Sequence, residues 1–556
     1  MPINSVLVGS NMSLLSTMRQ QLEDMQRQLS TGQKADTYGT LGAGRTQSIT
    51  FRSKISEING YLQNTDVLNM RISLLDKSMS RLEDIPSEAS SAIDPNTYNI
   101  DSAGTTTGQK GAKIALNEVI GLLNSEADGR YLMSGKTTDT KPVVSMNDML
   151  YGSGNKYGLQ KVVAERYTAD MGTGNLGRLE LDNPPATPDT VTITRQGATA
   201  TPPSVSAEFG YKLSGATIST TDVTHIKLTP TTGTDTAGNT VTTSYGIQFG
   251  ANLQAGDSVS LELQNPDGTK STIKLTATLT SPPGDGQFTI AQTGTPATVD
   301  VAATAANFKN QLNESLKTDT KTNFQAASMM RAADTFFDTA SGGKPQRVNV
   351  ADPTDNTQLA NATGLRDGTD TDTVEWYVGY NATIDPNDTT TSPRNDVSAR
   401  VDSNITVGYG VRANETAYAN MVRSLAVMTV AQFDPKAGTL GDTNATTDAE
   451  RQKNLGVEKA RYSALASRVD GVLAFADGSQ KPTDIHTEIA VSGNVAKSAS
   501  DRQTSSKTSL QVMLDGVEGI NKEELTAQIL TLQTRMNASY TTSMMLNNLS
   551  LLNYMK

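Results

Sequence analysis

The chain has 556 residues, a formal net charge of −11, 36% hydrophobic and 5% aromatic residues, and no cysteine. That length exceeds what one hydrophobic core organises, so several domains are expected, with apolar material confined to helix seams and thin layers. The acidic balance excludes a nucleic-acid surface, which needs a basic face. The missing thiols exclude disulfides, thiolate metal sites and cysteine nucleophiles.

In chain order, the first predicted helix covers about 11–31. Leu15, Met18, Leu22, Met25 and Leu29 recur at heptad spacing, and Gly32 is a stop signal. Ahead of it there is no charged leader: Arg19 is the first basic residue, and Val6 to Val8 is too short for a signal-peptide core. Nowhere does a run approach the roughly 18 apolar residues of a membrane span. The expectation is a chain that is cytoplasmic or exported without a cleaved signal, and the absence of cysteine suits work outside the cell.

A glycine-rich break at 38–44 precedes a second, longer pattern beginning near Arg45. Phe51, Ile55, Ile58 and Leu62 form one seam, and Leu68, Ile72, Leu75, Met79 and Leu82 continue it after a stutter. Pro86 is expected to limit this helix, which would be on the order of 50 Å long. A third helix puts Ala112, Leu116, Val119 and Leu123 on one face.

From about Lys161 to Val407 alternation replaces the heptads. Val259, Leu261 and Leu263, then Asn265-Pro266-Asp267-Gly268, then Ile273, Leu275, Ala277 and Leu279 spell a β-hairpin. Val191 to Ile193 and Val374 to Val378 are further strand candidates. A short helix is expected at 305–316, with Phe308, Leu312 and Leu316 inward. Helical periodicity returns at Tyr418, Met421, Leu425 and Met428, and again at Tyr462, Leu465, Val469 and Val472. The last seam reads Leu525, Ile529, Leu532, Met536, Tyr540 and Met544, with Leu549 and Leu552 beyond it.

The expected fold class is mainly α at both termini, with long coiled-coil-like helices pairing N- with C-terminal segments around an inserted β-rich middle. An amphipathic stripe must bury itself against something, and the stripes at the two ends are natural partners, within one molecule or between neighbours. That layout predicts a polymer subunit.

Catalytic chemistry finds little purchase. His225 and His486 stand alone, and His486-Thr487-Glu488 lacks the second histidine of a zinc-protease helix. Asp370/Asp372 and Asp385/Asp388 lack the spacing of a calcium loop, and Gly342-Gly343-Lys344 lacks the spacing of a phosphate loop. No cofactor, metal site or catalytic residue is expected, and the chain is not read as an enzyme.

Three segments carry a family resemblance. Gln28-Leu29-Ser30-Thr31-Gly32-Gln33-Lys34, closing the first helix, resembles an element of bacterial flagellins and flagellar hook-associated proteins. Gly129-Arg130-Tyr131-Leu132-Met133-Ser134-Gly135, running on to Pro142, is similar to a stretch of the hook–filament junction family, hook-associated protein 3. Met536 to Tyr540, followed by Leu551 and Leu552, is similar to the end of that family. The likeness covers roughly the first 145 and last 140 residues. It departs after Gly32, where Ala35-Asp36-Thr37-Tyr38-Gly39 replaces an Asp-rich turn.

The resemblance implies a flagellin-like fold. Residues 1–44 and 516–556 would be the helices of an inner core domain, 45–160 and 408–515 the two parts of a helical bundle domain, and 161–407 an outward-facing variable insert. It also implies self-association in a helical or ring assembly, contacts with hook, hook-associated and flagellin subunits, an export chaperone, and the flagellar type III export apparatus. The expected function is a structural subunit of the extracellular bacterial flagellum, foremost the hook–filament junction protein. The alternatives are filament flagellin and, in another class, a surface adhesin carried by the middle.

Overall fold

The computed structural model describes residues 3–182, 187–201, 203–385 and 387–554, without the side chains of 3–11, 546, 547 and 549–554. Along the chain the helices are α1 (Ile3–Thr31), α2 (Arg45–Ala92), α3 (Thr107–Leu123), α4 (Met146–Tyr151), α5 (Leu159–Met171), α6 (Val301–Thr320), α7 (Asn323–Phe337), α8 (Asn356–Asn361), α9 (Thr416–Val430), α10 (Asp448–Leu473), α11 (Pro482–Glu518) and α12 (Lys522–Tyr554). The strands begin with a short hairpin, β1 (Glu126–Ala127) and β2 (Arg130–Tyr131). They continue as β3 (Leu179–Asp182), β4 (Thr190–Arg195), β5 (Lys212–Ile218), β6 (Ile226–Thr234), β7 (Thr240–Phe249), β8 (Ser258–Gln264), β9 (Lys270–Thr278) and β10 (Gln287–Thr289). Three two-stranded pieces complete the set: β11 (Gln292–Thr293) with β12 (Thr298–Val299), β13 (Gln346–Val348) with β14 (Leu365–Asp367), and β15 (Ser398–Arg400) with β16 (Thr406–Gly408).

This corrects the expected fold class. The chain is not a pair of helical termini around a β-rich insert: nine of the twelve described α-helices begin at Met146 or later, through the centre and C-terminal half. Among the described residues, strand is scattered over six small sheets of two or four strands. The supposed insert itself holds α5, α6, α7 and α8. Two local expectations also fail. α2 runs through Pro86 to Ala92, because Ile85, Ala89 and, just past the helix, Ile93 are buried on the far side of the proline. Val374 to Val378 forms no strand of any sheet; it is an extended segment tied by isolated bridges of Thr373 to Tyr157 and Tyr377 to Val143, with Trp376 fully buried.

Two compact units result. One comprises Met1–Met70, Ala399–Val407 and Ser492–Lys556; the other comprises Arg71–Ser398 and Gly408–Val491.

The larger unit has two kinds of core. In one, α9 lies against α3, α5, α7 and α10, and Tyr418, Met421, Leu425 and Met428 on it are wholly inaccessible. In the other, two four-stranded sheets, ordered β3-β4-β7-β6 and β10-β9-β8-β5, share one apolar cluster with α6. Alternation along β4, β8 and β9 sends every second residue inward. The β8–β9 hairpin pairs Val259 with Leu275 and Leu261 with Ile273. Phe308, Leu312 and Leu316 of α6 fill the cluster, and Phe308 meets the rings of Phe249 and Phe288 at centroid separations of 5.0 and 5.2 Å.

In the smaller unit, α1 and α12 lie against each other. The loop after α1 is fastened to the turn between α11 and α12: Gln33 bridges Gly519, the Lys34 amide donates to the Glu518 carbonyl at 2.7 Å, and the Ile520 amide donates to the Gly32 carbonyl at 3.2 Å.

Candidate assembly surface

Within the smaller unit, the heptad residues divide by burial. Leu525, Ile529, Leu532 and Met536 of α12 are buried. Leu15, Met18, Leu22, Met25 and Leu29 of α1 are half-buried, as is Tyr540, whose ring lies 5.9 Å from the Arg19 guanidinium. Met544 is 69% exposed. Leu549 and Leu552 lie outside the residues whose side chains are described.

The same two helices carry apolar side chains on other faces. Met12 on α1 is 71% exposed and Leu530 on α12 is 59% exposed, with Leu14 and Met545 also in solvent. Periodicity alone missed Leu530, because it stands outside the seam. In the same unit Val512 and Met513 of α11 and Val67 and Met70 of α2 are exposed too. Large apolar side chains left in water on four helices of one unit are the material from which an interaction surface is made.

Polar contacts hold this unit in register. Ser30 and Thr31 are exposed, and the Thr31 hydroxyl donates to the Arg27 carbonyl at 3.0 Å. Gly32 adopts a φ of +74°, the left-handed conformation that ends a helix and turns the chain. Arg52 donates to both carboxylate oxygens of Glu518, at 2.9 and 2.6 Å, and Ser48 donates to the same group. The Arg52 hydrogen bond, with help from Ser48, holds the Glu518 carboxyl below its ordinary value. No motif announces this contact, since its partners lie hundreds of residues apart.

The 129–142 stretch lies in the larger unit. Asp128 and Gly129, both at positive φ, make the turn between β1 and β2. Arg130 is exposed and donates to the Thr138 hydroxyl at 3.0 Å; the Tyr131 amide donates to the Thr138 carbonyl at 2.7 Å. Further along, the loop is buried and stitched to distant chain. The Ser134 carbonyl accepts from the Tyr380 amide at 2.9 Å, the Gly135 amide donates to the Val411 carbonyl at 3.0 Å, and the Pro142 carbonyl accepts from the Val378 amide at 2.8 Å. Beneath Gly135, Arg412 grips Asp396 through two hydrogen bonds of 2.6 and 3.1 Å. Much of this stretch is therefore an organiser of the fold around it, with Arg130, Lys136, Asp139 and Lys141 as its outward side chains.

No protein-family model matches the chain, and no curated protein matches its sequence.

Among the described residues no group of three or more His, Asp and Glu side chains is placed to hold a metal ion, and no helix is long and apolar enough to cross a membrane. A polar cleft of about 1000 Å³ in the larger unit is lined by Arg331, Asp334, Lys344 and Arg423 among others. Two ion pairs lie within its own wall: Asp334 with Arg423 at 2.7 Å, and Arg331 with Glu208 at 3.4 Å. Burial outweighs those arginines and raises the Asp334 carboxyl above its ordinary value.

Proposed function

We propose that this protein is an extracellular structural subunit of the bacterial flagellum, of the hook–filament junction class, that assembles with copies of itself and with neighbouring flagellar proteins through α1 and α12. The observation that carries the reading is the apolar surface these helices leave in water, with Met12, Leu530 and Met544 each more than half exposed. Burying one such side chain stabilises an interface by about 1.5–3 kcal/mol. Soft methionines on it tolerate small differences between partner surfaces, which suits a subunit meeting two different neighbours. A head-to-tail contact that does not close on itself generates a helical array. The likeness of Gln28–Lys34 and Gly129–Pro142 to the hook-associated family supplies the class. Export through the flagellar type III apparatus, with a chaperone on the C-terminal helix, belongs to the same proposal.

Deleting the gene from the bacterium that encodes it tests the reading. The expected result is loss of the filament with flagellin shed into the medium, and about one helical ring of this protein per wild-type flagellum. Thousands of copies per flagellum would make it the filament subunit instead. Normal flagella in the deletion strain would overturn both.

A further inference from the structure

His486, on the second turn of α11, stands between two carboxylates of α2 in the larger unit. Its Nδ1 lies 2.8 Å from Glu83 Oε1 and its Nε2 lies 2.9 Å from Asp76 Oδ1. A neutral imidazole carries one N–H and one lone pair, so it donates to one partner only; the imidazolium donates to both. Two carboxylates at hydrogen-bond distance from the two ring nitrogens therefore describe a charged histidine. Removing its proton turns a lone pair towards one of the carboxylates and breaks that contact. The Glu83 side chain is 26% exposed and that of Asp76 is 59% exposed, so Asp76 is the partner free to swing into water.

We propose that His486 is a pH-sensitive clamp that fixes the start of α11 to α2 when protonated and frees it from Asp76 when its proton leaves.

The surroundings favour the charge. On its own helix, Glu488 pairs with Arg394 at 3.0 Å, and Arg394 also donates to Glu415. From α9, burial and then the charge of Glu415 raise the Tyr418 phenol well above its ordinary value, with Glu83 a lesser contribution, so it stays neutral. Arg394 is the cation that balances Glu488 and Glu415. His486 is the ion-pair partner of Asp76 and Glu83, and Lys481, just before α11, lines the same cleft as Glu83. Burial opposes the charged ring, but the hydrogen bonds to Asp76 and Glu83 and their negative charge prevail, and the His486 pKa is raised. A raised folded-state pKa gives a definite sign. The clamp's contribution is complete below the unfolded histidine value of about 6.5 and disappears as pH rises through the higher folded value.

The test uses the full-length protein with ¹³C-labelled histidine. There are two histidines, so His486→Gln assigns the signal by its disappearance. The His486 ring is expected to titrate above the ordinary value of about 6.5, and Asp76→Asn to lower its midpoint by about half a unit or more. Amide exchange at 483–490, corrected for intrinsic pH dependence, is expected to rise severalfold between pH 6 and pH 9 in the wild type and to stay flat in His486→Gln. Asp76→Asn alters an exposed side chain and serves alone where His486→Gln does not fold. A midpoint at or below the ordinary value, or the same exchange profile in wild type and variant, overturns the proposal.

Discussion

Gly135 shows how a single residue's missing side chain organises a loop. Its φ is +60°, and a Cβ there would sit 2.9 Å from Asp396 Oδ2 and 3.0 Å from Tyr380 Cβ. Asp396 cannot step aside, because Arg412 holds both its oxygens. Gly129 has a similar φ of +70° but open space where its Cβ would be. The two glycines of one motif therefore separate conformational strain from crowding. Gly129→Ala is expected to cost about 1 kcal/mol, the left-handed penalty alone. Gly135→Ala should cost more, about 2–4 kcal/mol, since the penalty is compounded by a clash and a disturbed buried ion pair. Urea denaturation of the two variants checks this, and equal losses would mean that the Asp396–Arg412 pair yields easily. In the sequence, Gly129 and Gly135 stand out only by the likeness of their stretch to a family, and the turn at Asp128-Gly129 goes unread. What the buried half of the loop touches is not legible either, because Tyr380, Asp396 and Arg412 come from chain more than 240 residues away.

Among the elements, those with a clean period were legible and those without one were not. Phe308, Leu312 and Leu316 repeat at four-residue spacing and mark the buried face of α6, and the β8–β9 alternation gives its own register. α7 escapes the sequence reading although Phe324, Ala326, Ala327, Ser328, Met329, Met330, Ala332 and Ala333 are buried. Its polar stripe is narrow, made of Asn323, Arg331, Asp334 and Thr335, and the run of small and apolar residues between carries no heptad. α5 hides differently, since its buried face includes Glu165, Arg166 and Asp170. Arg166 is paired with Asp170 at 2.9 Å and with Glu208 at 2.7 Å, and the charges that make the segment read as exposed belong to its interior. Pro86 misled in the opposite direction. It lacks the N–H that would reach the Leu82 carbonyl, a fault costing about 3 kcal/mol in a helix interior, yet the buried Ile85, Ala89 and Ile93 carry α2 past it. Replacing it with alanine restores the hydrogen bond at the expense of roughly 1 kcal/mol of ring packing. Pro86→Ala is therefore expected to stabilise the larger unit by about 1–2 kcal/mol, seen as a higher denaturation midpoint. A lower midpoint would show that the ring is needed to bend α2 onto its neighbours.

At the scale of the whole molecule, two features pull against each other. The apolar side chains exposed on α1 and α12 favour association, while a net charge of −11 on every copy opposes it. Salt separates these terms, because it screens repulsion between exposed charges and leaves apolar burial nearly untouched. The Debye length falls from about 30 Å at 0.01 M to about 3 Å at 1 M. If apolar faces hold the proposed assembly together, the purified protein should associate more readily as salt rises across that range, followed by sedimentation velocity. Leu530→Asp with Met544→Asp should keep it monomeric throughout, since each carboxylate would have to be desolvated at the interface. Both positions are exposed in the isolated chain, so the double variant should fold with an unchanged circular dichroism spectrum. Association that weakens with salt would assign the contact to ion pairs, and an undiminished double variant would move it off α12 altogether.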